Sequence, residues 1–218
     1  RRIDAEGQMF EPFVVSDQTE GEQGNARVGV DEQGNVLVTW VDGVGENASL
    51  YVQRFNAAGE RLGDNQLLSD DPGILDYNNI HVLPDGGLVL IAIASPGAEY
   101  EFRRYDPEGT LDATTSLGAL AAPGWEDQGY LSTALAGGGL VFSWNETRTE
   151  EVSPEETLYS SRTWARRLDL EGQPIGDDIL IASIGDSADA SALWNPETTL
   201  TALGEGAFLA SWKTFAVE

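Results

Sequence analysis

Two short stretches of the chain set an aromatic ring beside hydrogen-bonding side chains. Trp125 is followed by Glu126 and Asp127, and Trp194 by Asn195 and Pro196. An apolar ring face flanked by carboxylates or amides suits a sugar, which can stack on the ring and direct its hydroxyls to the polar groups. Trp125, Glu126, Asp127, Trp194 and Asn195 are therefore the candidate ligand-binding residues, with a glycan or a surface protein as the expected partner. The alternative for each ring is a loop side chain tucked onto a sheet edge, and the sequence leaves both open. The carboxylates offer a second chemistry. Asp4, Glu6, Asp31, Glu32, Asp106, Glu108, Asp169 and Glu171 fall in turns, while Asp70, Asp71 and Asp76, and Asp177 with Asp178, form further acidic groups. Calcium could be held by such oxygens, but it wants roughly six to eight of them. Each turn offers one or two, so weak screening at many places fits better than a dedicated site, and no metal ligand can be named.

Paired carboxylates can also hydrolyse glycosidic bonds. A polysaccharide hydrolase or lyase using two of them is thus the alternative function, although nothing in the sequence selects the pair. Neither a nucleophile elbow nor a phosphate-binding glycine fingerprint is present, because the Gly-rich segments lead into strands. The one histidine, His81, opens a strand in Asn79-Ile-His-Val-Leu83, where alternation could point it to either face. Composition narrows the field further. The 218 residues include 37 Asp and Glu against 12 Lys and Arg, a net charge of −25, with no cysteine. Disulfides, thiolate metal sites and cysteine nucleophiles are excluded, and one histidine cannot build a multi-His metal site. The charge repels phosphate backbones, so nucleic acid is not an expected partner. No apolar run approaches the roughly 20 residues that span a bilayer, so membrane insertion is not expected either. The chain opens Arg1-Arg2-Ile3-Asp4 without Met, which reads as a mature or excised piece.

The elements that must position these residues are repeated. One motif recurs as Arg2-Ile-Asp-Ala-Glu-Gly7, Arg54-Phe-Asn-Ala-Ala-Gly59, Arg104-Tyr-Asp-Pro-Glu-Gly109 and Arg167-Leu-Asp-Leu-Glu-Gly172. A second, glycine before an apolar run, recurs as Gly34 to Trp40, Gly86 to Ala92, Gly138 to Trp144 and Gly206 to Trp212. Both have a period of roughly 50 residues with a longer last interval, the signature of a repeat architecture. Within one repeat the pattern predicts strands at Ala26–Val30, Val36–Val41, Leu50–Phe55 and near Asp64–Leu68. The turns between them open on Asp or Asn and close on Gly. Four antiparallel strands per repeat predict an all-β fold, a β-propeller with about four repeats seen. Residues 1–218 then form one domain, with a blade end at 1–25, blades at 26–77, 78–129 and 130–189, and a blade start at 190–218. An excerpt of a larger propeller is the preferred expectation, and closure with four blades the other.

The Gly-Gly-apolar-Val-apolar-x-Trp run and the Tyr-x-x-Arg-Phe-Asn-x-x-Gly-x-x-x-Gly pattern carry a resemblance. Gly34 to Trp40, Tyr51-Val-Gln-Arg-Phe55 and Gly59 to Gly63 hold it best, while Ala92 stands where the second repeat should have Trp. Most of the chain resembles the propeller-type repeats of large secreted bacterial proteins, the RTX-type (hemolysin-type calcium-binding) adhesins and their relatives. The resemblance implies a secreted or cell-surface location and other domains in a larger chain. Calcium binding does not carry over, because the glycine–aspartate nonapeptides of RTX tails are missing. Trp40, Trp144 and Trp212 share one repeat position and are expected to pack between sheets. The arginine of the first motif is expected to pair with the Asp or Asn two residues on. Residues 145–156, with five glutamates, read as an acidic loop inserted between the second and third strands of the third repeat. The expected function is a non-catalytic binding or structural module, adhesin-like, outside the cell.

Overall fold

The structure, a computed structural model, describes residues 1–18, 20–70, 80–94, 99–134, 139–153, 156–188, 198–203 and 206–212. Among these residues the chain is all-β, with four antiparallel sheets and one short 3-10 turn at Gly45–Asn47. The first sheet runs in chain order through β1 (Gln23–Val30), β2 (Val36–Asp42), β3 (Ser49–Phe55) and β4 (Arg61–Ser69). The second is built the same way from β5 (Ile80–Val82), β6 (Leu88–Ala94), β7 (Glu99–Tyr105) and β8 (Leu111–Gly118). The third contains β9 (Glu126–Ala134), β10 (Leu140–Ser153), β11 (Glu156–Leu168) and β12 (Ile179–Ser187). A fourth sheet pairs β13 (Thr199–Ala202) with β14 (Phe208–Ser211). No described helix is long and apolar enough to cross a membrane.

The hairpins follow from local chemistry. In the turns at Asp31, Asn56, Asp106 and Asp169 the first residue's N–H donates to the carbonyl four residues on, and the closing Gly N–H donates back to the first residue's carbonyl. The Asp or Asn side chain accepts from turn amides as well, such as Gln33 and Asn35 onto Asp31. Closing the bend requires positive φ, which Gly34, Gly59, Gly109 and Gly172 supply at 83, 86, 83 and 77°.

Two compact units divide the chain, Arg1–Gly97 with Arg103–Ala113, and Ala98–Phe102 with Thr114–Glu218. In the first, Leu37, Val41, Leu50 and Val52 of one sheet pack on Ile80, Leu88, Leu90 and Ala92 of the next. Residues Leu88 to Ala92 are buried throughout, which explains why β6 reads as an unbroken apolar run and not an alternating one. β1 passes close to β5, and Gly29 leaves space there that Val82 fills. In the second unit Val141 and Ala165 pack with Ile181, Leu200, Ala202 and Phe208, while Tyr100 and Phe142 meet with ring centroids 5.7 Å apart.

The repeated arginines differ from expectation. Arg54 does not pair with Asn56; its guanidinium donates to the carbonyls of Gly86 and, at 3.2 Å, Asp106, both in turns of the next sheet. Arg104 pairs with Asp85 and Asp112, and Arg2 donates to the carbonyl of Ala58. The reason is prior commitment, since the Asp or Asn two residues on is already holding turn amides. What recurs is a bond from one repeat's side chain to the carbonyl just before the next turn's glycine. Arg2 reaches Ala58, Gln66 reaches Glu108 at 2.7 Å, and Thr115 reaches Glu171 at 2.8 Å. Burial lowers the pKa of Arg54, against the opposing pull of Asp106 and Glu108. Arg54→Ala, which strands two turn carbonyls, should destabilise by about 1–3 kcal/mol in urea unfolding. A cost near zero would mean that water replaces the guanidinium.

Residues 145–153 and Glu156, within the stretch expected to be a loop, are in strands. β10 and β11 continue their pairing outward from Leu140↔Leu168 to Glu151↔Thr157 and Ser153↔Glu156. β9 pairs with β10 only as far as Thr147. The acidic insertion is therefore a two-stranded arm that outruns β9. Alternation of Thr, Glu and Val on one arm with Thr and Tyr on the other is compatible with strand pairing, and charge along an exposed edge discourages aggregation.

His81 lies on β5 opposite Val89. Burial lowers its pKa from 6.5 to about 4, since the charged ring is poorly solvated there. Between these values the unfolded chain holds a proton that the folded chain does not. Stability from this group is complete above pH 6.5 and falls as pH drops toward 4. The loss should approach about 3 kcal/mol. Comparing wild type with His81→Gln between pH 7 and 4 checks this, and identical pH profiles would refute it.

Candidate functional site

The candidate residues divide by place. Trp194 and Asn195 lie outside the described residues. Trp125, Glu126 and Asp127 sit where the chain enters β9. Ala122-Pro-Gly-Trp125 makes a tight turn, with Trp125 N–H donating to Ala122 O at 2.9 Å and Gly124 at φ 82°. Pro then Gly at the two central positions is the residue order a type II turn requires. That turn carries the indole to the base of the arm, where the Arg162 guanidinium lies 3.7 Å and that of Arg148 5.2 Å from the ring centroid.

Glu146 holds this assembly together. It is 1% exposed and opposite Arg162 in the ladder. Its carboxylate accepts from Arg162 Nη2 and Trp164 Nε1, each at 2.7 Å, and from Ala122 N–H at 2.8 Å. Trp164 in turn stacks on its cross-strand partner Trp144 at 6.5 Å. Arg166 lies 5.3 Å from the Trp144 ring and is bound to Asp178, a hydrogen bond that raises its pKa. Asp127 is engaged too, accepting from Tyr100 OH and from Gly129 N–H. Glu126 is exposed beside Thr147. The result is a ladder of alternating aromatic rings and guanidinium groups locked by one buried carboxylate. Its chemistry is cation–π and ionic, and the Trp125 ring that could meet a sugar already meets Arg162.

A second constellation went unrecognised in the sequence. On the first sheet Trp40 stacks on its partner Tyr51, with ring centroids 5.9 Å apart and planes at 18°. The residues 13–18 run alongside β4. Asn65 Nδ2 donates to Val15 O, and Arg61 pairs with Asp17 at 2.7 Å. Between these elements lies a hollow of about 180 Å³ whose wall includes Trp40, Tyr51, Asp42 and Asp64. An adjoining hollow of about 210 Å³ is apolar, bordered by Val14, Val15, Ala26 and Val38, and shares Trp40 and Ser16 with the first. Trp40 and Trp144 are buried as expected of their repeat position, whereas Trp212 is 44% exposed. Trp40 and Tyr51 both lie in recurring motifs, whereas Asp17 and Asp64, 23 and 24 positions from Trp40, join them only through the fold. Among the described residues no group of three or more Asp, Glu or His is placed to hold a metal ion.

These features define an all-β protein with two clusters of aromatic and carboxylate side chains. No family model matches the chain, and no curated protein is significantly similar to it.

Proposed function

We propose that the chain is a β-propeller section serving as a non-catalytic binding or structural module of a large secreted or cell-surface bacterial protein, akin to the RTX-type adhesins its repeats resemble. The observation that carries this is the recurring link between repeats, in which Arg2, Gln66 and Thr115 each donate to the carbonyl before the next turn's glycine. Such a bond ties each repeat to its neighbour, as the quasi-one-dimensional stability of a repeat array demands. Three four-stranded sheets, each with its strands in chain order, support the reading of blades. Acid in turns and on the arm keeps the surface soluble without specifying a partner.

Two measurements test it. Negative-stain images should give blades set around one axis, as an arc or a disc, and an extended rod would overturn the propeller. Incubation with a panel of polysaccharides should release no new reducing ends. Measurable cleavage would overturn the non-catalytic reading in favour of a propeller hydrolase or lyase.

A further inference from the structure

We propose that the exposed apolar face of the first sheet receives the fourth sheet of a second copy of this chain. This rests on the repeat reading above and names a partner for it. One contact between sheets is built twice in the structure. Leu37, Val141 and Leu209 each stand third after the glycine that opens the second-strand motif of their sheet. Within the first unit Leu37 shares an apolar cluster with Ile80, Val82 and Leu88 of the next sheet. Within the second unit Val141 packs with Leu200, Ala202 and Phe208. Those two sets hold the same positions, six and four residues before their own glycine, Gly86 or Gly206, and two after it.

Each half of this contact occurs once more, uncovered, among the described residues. Leu209 holds the inserting position on β14 and is 57% exposed, where Leu37 is 2%. Val28 and Val30 hold the receiving positions on β1 and are 64% and 59% exposed, where Ile80 is 6%. Val38 lies opposite Val28 in the ladder and borders the apolar hollow of about 210 Å³, which continues the receiving face. Burying such side chains drives association. A second copy is the fitting partner because one chain carries both halves, and each half already has its complement built elsewhere in the same fold. The join is head to tail, since the two copies meet through different surfaces. At a net charge of −25 the copies repel one another, so salt should favour the contact by screening that charge.

Sedimentation velocity on the whole chain, from about 1 μM to about 1 mM, covers the weaker part of the affinity scale. Mass should grow with concentration, and more steeply at about 0.5 M than at about 0.02 M NaCl. Val28→Gln and Leu209→Gln are neutral changes at exposed positions, and each should weaken self-association at least about tenfold. Mixing the two variants should restore association, because one keeps the inserting face and the other the receiving face. Val152→Gln, on the exposed arm, should leave it unchanged. A monomer at every concentration would overturn the second copy as occupant. Association that survives both substitutions, falls with salt or is lost equally in Val152→Gln would overturn the choice of faces. A mixture that stays monomeric would overturn the head-to-tail join. The module reading fails separately, on a rod-like image or on release of reducing ends.

Discussion

Replacing Gly172 by alanine is expected to cost about 3–5 kcal/mol of stability. Two penalties coincide there. Gly172 sits at φ +77°, where an L side chain strains against its own backbone. A Cβ would also lie 2.6 Å from Cγ and Cδ1 of Phe102 and 2.9 Å from its Cβ. Phe102 is fully buried, so it has no room to retreat. Gly176 separates the two effects, because it has nearly the same φ, +78°, and nothing within 4 Å. Gly176→Ala should therefore cost about 1–2 kcal/mol, the backbone term alone. Urea midpoints at unchanged m-value give both numbers. Equal losses at the two positions would show that the aromatic contact plays no part.

Glu146→Ala should destabilise by about 3–5 kcal/mol, because it removes the partner of a partly buried guanidinium and leaves further donors unmet. The Arg162 guanidinium, the Trp164 indole N–H and the Ala122 amide all lose their acceptor together. Glu146→Gln keeps the shape and one acceptor oxygen and should cost less. The ionic part can be isolated with Arg162→Met. Adding it to Glu146→Met should recover part of the loss, giving a coupling energy of at least about 1 kcal/mol. Near-ultraviolet dichroism should change with stability, because Trp125, Trp164 and Trp144 share the ladder. A Glu146→Ala variant within about 0.5 kcal/mol of wild type would mean the carboxylate is dispensable, as surface substitutions are.

Much of the fold was legible because its causes are local. The turns at Asp31, Asn56, Asp106 and Asp169 are each set by Asp or Asn and a Gly three residues later, bonded within a span of five residues. The strand positions followed from the apolar runs between such turns. β1 starts at Gln23 and β4 at Arg61, a few residues before the sequence suggested. The error over residues 145–156 had a physical source too. Five glutamates suggest solvent, yet an exposed two-stranded arm is as solvated as a loop and keeps its backbone hydrogen bonds. Composition cannot tell one from the other.

The candidate site was less legible. Trp125, Glu126 and Asp127 were adjacent in sequence and remained so, but what they touch was invisible. Asp127 meets Tyr100, and Trp125 meets Arg162, through a register and a turn that no short motif encodes. The arginines were misassigned for the same reason. Side chains two apart share a strand face, which makes the nearer carboxylate look like the partner. Turn amides had already claimed it.

The sequence by itself determined the turn grammar, the all-β character and the exclusion of thiol and multi-histidine chemistry, because these depend on residue type and on neighbours a few positions away. Only the tertiary structure decided which side chains share a site. Asp17 and Asn65 meet across 48 positions, and Arg54 reaches Asp106 across 52. Contacts at such separations depend on strand register and on how one sheet lies upon the next within a unit. Those are set by summed packing over many side chains, which no one segment of the chain carries.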